Sequence, residues 1–109
     1  MPASMFRLLF AALTAIPASL GQSAATAALS GVVRDPSGAV APQAVIEIAR
    51  METGRTQTVR TNQEGIFLAE GLLAGTYVIK ATAAGFKTRV IENYVLNTGD
   101  RRTVDVILE

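Results

Sequence analysis

The sequence predicts an all-β domain, a small antiparallel sandwich of seven short strands. Three observations predict it. Apolar residues alternate with polar ones in short runs, clusters of Gly, Pro, Asn and Asp punctuate those runs, and nothing beyond the N-terminal stretch carries helical periodicity.

The elements follow in order along the chain. Leu29 to Arg34 alternates so that Leu29, Gly31 and Val33 share a face. Asp35-Pro36-Ser37-Gly38 reads as a type I turn, with Pro36 presetting φ and Gly38 tolerating a positive one. Val45 to Arg50 places Ile46 and Ile48 on one face and Glu47 on the other, and Glu52-Thr53-Gly54 closes a hairpin into Arg55–Thr61. That next strand is β-branched yet almost wholly polar, the composition of an exposed edge. Asn62-Gln63-Glu64-Gly65 turns the chain into Ile66-Phe67-Leu68. The stretch Ala69 to Gly75 is expected to be a loop whose Leu72 and Leu73 fold down as a plug over the end of the core. Thr76 to Ala83 alternates with Tyr77, Ile79 and Ala81 inward. Lys87 to Leu96 gives one or two short strands, and Asn97-Thr98-Gly99-Asp100 is the last turn. Arg101 to Glu109 closes the domain with Val104, Val106 and Leu108 inward.

Ahead of this module lies an apolar leader. Arg7 supplies its positive start, Leu8 to Leu20 its apolar run, and Ala25-Thr26-Ala27 a small-x-small cleavage site, so residues 1–27 are expected to be a signal peptide and 28–109 the mature domain. Ser19-Leu20-Gly21 and Gln22-Ser23-Ala24 are competing sites. The apolar run is shorter than the roughly 20 residues needed to cross a bilayer, and Pro17 interrupts it. Without Cys near the cleavage region, a lipoprotein anchor is excluded. The expectation is a secreted, periplasmic or cell-envelope protein with no transmembrane segment in the mature chain.

Charge and composition then remove several chemistries. Of ten Lys and Arg, only Arg7 lies in the leader, so the mature stretch sets nine against nine Asp and Glu and is neutral. Nothing in that balance favours nucleic acid or anionic lipid. There is no His and no Cys, which removes the usual neutral-pH acid–base group, the thiol nucleophile and the common zinc ligands. A Ser or Thr nucleophile would need a base, and of the two lysines, Lys80 and Lys87, the first falls on the outward side of its strand. Asn62-Gln63-Glu64-Gly65 offers one carboxylate, too few for a calcium loop. No catalytic, cofactor-binding or metal residue is therefore assigned, no cofactor is expected, and the protein is expected not to be an enzyme. The aromatic residues are Phe67 and Tyr77, which the core explains, Phe86, which follows Gly85 and is placed to cap the sandwich, and Tyr94, expected to be partly exposed.

Taken together, Gly31 to Val40, Pro42 to Ile48, Thr61 to Phe67, Gly71 to Tyr77 and Ala84-Gly85-Phe86 resemble the carboxypeptidase regulatory-like domain family across essentially all of 28–109. Gln43 is a departure, standing where the family often has Gly. The resemblance implies a prealbumin-like Greek-key sandwich grouped with carbohydrate-binding-like folds. It also implies attachment to exported proteins, including the N-termini of TonB-dependent receptors. Two relatives of that fold fail on residues. Hydroxyisourate hydrolases use histidines and a C-terminal tetrapeptide unlike Val106-Ile107-Leu108-Glu109, and isopeptide-linked pilins need a Lys where the first strand has Arg34. The expected role is an accessory module binding a protein partner or cell-envelope component, with the Arg55–Thr61 edge as the candidate surface. The alternative is a carbohydrate-binding module around Tyr94.

Overall fold

The computed structural model describes residues 25–109. The leader's residues 1–24 lie outside the described residues. Seven strands form, β1 (Ala27–Arg34), β2 (Val45–Arg50), β3 (Thr56–Arg60), β4 (Ile66–Leu72), β5 (Gly75–Thr82), β6 (Arg89–Leu96) and β7 (Arg101–Ile107). They make a sandwich of a three-stranded sheet, ordered β4-β1-β7, and a four-stranded sheet, ordered β3-β2-β5-β6. The chain changes sheet after β1, β3, β4 and β6, so β2–β3 and β5–β6 are hairpins within one sheet. Among the described residues no helix is long and apolar enough to cross a membrane.

The inward rows are those that the alternation predicts. Leu29 and Val33 from β1, Phe67 from β4 and Val106 from β7 meet Ile46 and Ile48 from β2 and Tyr77, Ile79 and Ala81 from β5, all buried, with Leu108 just past β7. Burying each such aliphatic or aromatic side chain contributes about 1.5–3 kcal/mol, and that apolar layer stabilises a chain without disulfides. The turns also form as read. Gly38 N donates to Asp35 O at 2.9 Å, Gly54 N to Arg50 O at 2.7 Å, Gly65 N to Asn62 O at 2.9 Å and Asp100 N to Asn97 O at 3.0 Å.

Two expectations are corrected and a third is narrowed. First, four of the five strand pairings are antiparallel, but β1 and β7 pair in parallel from Ala28↔Arg101 to Arg34↔Ile107. Strand direction here depends on where the chain re-enters the sheet after crossing from β6, and no local pattern encodes that. Second, Ala69–Leu72 is not loop. β4 runs on to Leu72 through an extra residue: β1 advances two positions, Ala27 to Leu29, while β4 advances three, Leu72 to Ala69. Gly71 takes φ +73° at that bulge, and the added residue flips the alternation so that Leu72 points inward and is buried. Leu73 stays exposed, so only one of the two leucines plugs the core. Third, Lys87–Leu96 contributes one strand from Arg89, with a bulge at Glu92-Asn93 opposite Val78, where Asn93 has φ +56°. The bulge lets Ile91 and Tyr94 both pack against the core despite being three residues apart.

Candidate functional site

Among the described residues the four-stranded sheet ends on β3, which pairs with β2 alone. Its β-branched, polar residues suit a strand half in water: Thr56, Thr58 and Arg60 are exposed, while Gln57 and Val59 are half-buried toward the other sheet. Two hydrogen bonds fix the phase of the β2–β3 ladder. Arg50 N donates to Arg55 O at 2.8 Å, and Thr61 N donates to Ala44 O at 3.0 Å. Antiparallel pairs alternate between bonded and non-bonded, so Gln57 and Val59 exchange bonds with β2. The backbone N–H and C=O groups of Thr56, Thr58 and Arg60 then face away from β2. The β2–β3 pairing has no register shift, whereas β4 and β6 carry bulges and β7 carries Arg101, Arg102 and Asp105. Bulges and charges are the usual protections of an edge, and β3 has the least of both.

Beside the start of β3 the two sheets separate into a cleft of about 340 Å³. Ile48, Leu72 and Tyr77 line it, with Gly71 and Leu73 from the β4 end and Arg50, Arg55, Thr56 and Gln57 from the β2–β3 hairpin. The alternation that carries Ile46 and Ile48 inward continues to Arg50, which puts a guanidinium into an otherwise apolar row. That group is held in place: Arg50 Nε and Nη2 donate to Ala74 O at 3.0 and 2.7 Å, and Nε lies 3.8 Å from Glu52 Oε1. A Cβ on Gly75 would stand 2.6 Å from Arg50 Nε and 2.8 Å from Glu52 Oε1, so only glycine lets this arrangement cross the backbone. Glu52 accepts from Thr76 N at 3.1 Å, and Tyr77 Oη donates to Leu73 O at 2.6 Å. The backbone N–H groups of Glu52 itself and Thr76, with Arg50 adding its charge, hold the Glu52 carboxyl below the usual carboxylate range. Burial pushes the Tyr77 phenol up, so it stays a neutral donor.

The sequence profile of the carboxypeptidase regulatory-like domain matches residues 28–109. The chain belongs to that family. No curated sequence matches it. Solved structures share the fold of this regulatory-like domain. A provisionally assigned carbohydrate-binding protein from Bacteroides uniformis superposes with TM-score 0.61 and 19% identity, over 75% of this chain and 40% of that one. A chain of a type II cohesin–X-dockerin complex from Acetivibrio cellulolyticus gives TM-score 0.60 and 25% identity, over 75% and 56%. Chlorocatechol 1,2-dioxygenase from Pseudomonas putida gives 0.62 and 11%, over 81% and 61%. The regulatory-like domain thus spans less than two thirds of the length of each, and what they share with it is the sandwich.

Within the family fold, the residues singled out from sequence scatter rather than converge. Lys80 is exposed on β5, on the sheet's outer surface, and Lys87 is exposed in the β5–β6 turn. Tyr94 is half-buried against the core, and the Arg102 guanidinium sits over its ring, 5.3 Å from the centroid. Phe86 is exposed and does not cap the core. Among the described residues no three His, Cys, Asp or Glu gather closely enough to hold a metal ion. The Arg55–Thr61 edge lies where it is expected, as β3. Sequence reasoning missed the cleft. Its signal was present in Ile46-x-Ile48-x-Arg50, a charge in an inward row.

Proposed function

We propose that this regulatory-like domain is an exported, non-catalytic interaction module whose β3 edge takes up an extended segment of a protein partner in the cell envelope. One observation carries the reading: β3 presents the outward backbone groups of Thr56, Thr58 and Arg60 on an edge without a bulge, which is the geometry of strand addition. The incoming segment would extend the four-stranded sheet by main-chain bonds. Export and a position at the start of a TonB-dependent receptor-like protein are supported by the leader and by the family resemblance. The absence of His and Cys from the sequence supports a binding role over a catalytic one. Of the three cleavage sites, those after Gly21 and Ala24 leave β1 whole, whereas that after Ala27 removes its first residue, which is buried and pairs with Leu72.

The carbohydrate-binding reading is supported by the Bacteroides neighbour's assignment, but Tyr94 is a single ring, half-buried against the core and with Arg102 over it, which is a small platform for a sugar. The test uses Thr58→Pro, which deletes one outward N–H. Envelope proteins retained by the wild-type domain should be lost with the variant, and partner binding should slow amide exchange at Thr56, Thr58 and Arg60. Retention by the variant, or protection confined to other strands, rejects the edge as the docking surface.

A further inference from the structure

We infer that the cleft at the mouth of the β2–β3 hairpin is a second binding site, selective for a small organic acid: a carboxylate carried on a short apolar body. The site adjoins the start of β3 and shares Thr56 with its free edge, but it does not depend on strand capture.

Its shape comes from the bulge at Gly71. The extra residue turns Leu72 inward and lifts Gly71 away, and a Cβ built on Gly71 meets no atom within 4 Å. Space therefore opens between Leu72 on one sheet and Ile48 and Tyr77 on the other. At about 340 Å³, it lies in the range of pockets that take small ligands.

Its chemistry comes from two arginines. Arg50 is half-buried and fixed by Ala74 O, which leaves its other N–H donors free, and both Glu52 oxygens are engaged by Thr76 N. Arg55 stands one strand away on the same inward parity, and its guanidinium has no ion-pair or hydrogen-bond partner among the described residues. With the one carboxylate of Glu52 set against these two cations, the mouth keeps a net positive charge. Thr56 and Gln57 add neutral polar groups on the Arg55 side. A carboxylate meets the unused donors of both guanidinium groups, and a short alkyl or aryl body covers Leu73, the exposed apolar side chain of the cleft, whose floor is closed by the buried Ile48 and Leu72. A sugar is a poorer fit, because the one aromatic ring of the cleft, Tyr77, is almost wholly buried and its hydroxyl already donates to Leu73 O.

The test titrates the purified protein with 4-methylpentanoate and with its uncharged analogue 4-methylpentanamide, following backbone amide NMR shifts. The acid should give saturable shifts at Gln57, Gly71 and Leu73. The amide should bind at least about tenfold more weakly, the worth of one charge-assisted hydrogen bond. Arg55→Gln should weaken the acid by a similar factor without changing the amide or the thermal midpoint, while Thr58→Pro should bind the acid as wild type does. Raising the salt concentration should weaken the acid only. Equal affinity for acid and amide, shifts outside the cleft, no saturable shift, or an Arg55→Gln variant that binds the acid unchanged would each overturn the assignment. Because strand capture is read at Thr58 and acid binding at Arg55, either idea can fail alone.

Discussion

Thr61 shows how much one side chain decides in a domain this small. It is the one buried polar residue among those described. Its Oγ1 donates to Ala41 O at 2.6 Å and accepts from Ala44 N at 2.8 Å, tying the β1–β2 connection to the end of β3. Thr61→Val keeps the shape and leaves both backbone groups buried without partners. It should cost about 2–4 kcal/mol, read by denaturant unfolding, whereas Thr61→Ser should recover most of the loss. Gln43 makes the opposite case. Its φ is +60°, a conformation that costs a side chain about 1–2 kcal/mol and that glycine adopts freely. Gln43→Gly should therefore stabilise the domain by up to about 1 kcal/mol once the added freedom of the unfolded chain is subtracted, seen as a raised unfolding midpoint. A loss of stability would show that the left-handed turn is not strained. The departure at Gln43 was legible in the sequence against the family pattern. Thr61 was not, because a threonine after a polar strand looks like surface until the β1–β2 connection closes over it.

At the scale of an element, the strands reveal themselves by alternation and hide themselves at bulges. β2, β5 and β7 keep strict alternation, and their buried rows were legible residue by residue. β4 and β6 each contain an extra residue that flips the parity, so Leu72 and Tyr94 face inward where simple counting turns them out. A loop at Ala69–Leu72 and the open choice of one or two strands over Lys87–Leu96 are what such flips look like in sequence. The cleft beside β3 depends on the first of these bulges, which is why the candidate site was only half legible. The edge could be read from composition, while the cavity required knowing where β4 gains a residue. The phase of β3 gives a direct prediction about proline. Thr58→Pro removes an N–H that bonds nothing within the domain, but Val59→Pro removes one directed at β2. Val59→Pro should cost about 1–3 kcal/mol more than Thr58→Pro in denaturant unfolding. A larger loss for Thr58→Pro than for Val59→Pro would mean that the ladder runs in the other phase, and the outward groups would then belong to Gln57 and Val59.

For the whole molecule, the decisive contact joins the two ends of the domain. β7 returns to lie parallel to β1, so strands separated by nearly the whole domain close the three-stranded sheet. Local sequence could supply the seven strands but not this pairing, because direction and partner are set by the loops' route between sheets. Non-local closure of this kind is also slow to form, since its loop entropy is lost before its contacts are gained. Ser30 and Thr103 report on it. They are register partners on the outer face of the sheet, with Ser30 Oγ and Thr103 Oγ1 3.3 Å apart across a separation of 73 positions. The chain contains no cysteine, so a Ser30→Cys, Thr103→Cys pair has a single way to oxidise within one molecule. Closing a loop of that length should stabilise the domain by up to about 4 kcal/mol if the bridge forms without strain. The expected result is a monomeric disulfide whose oxidised form unfolds at higher denaturant than its reduced form. A crosslink formed only between molecules would place the two strands apart and reject the parallel closure. An intramolecular bridge with no gain would instead mean that the unfolded chain already keeps its ends together.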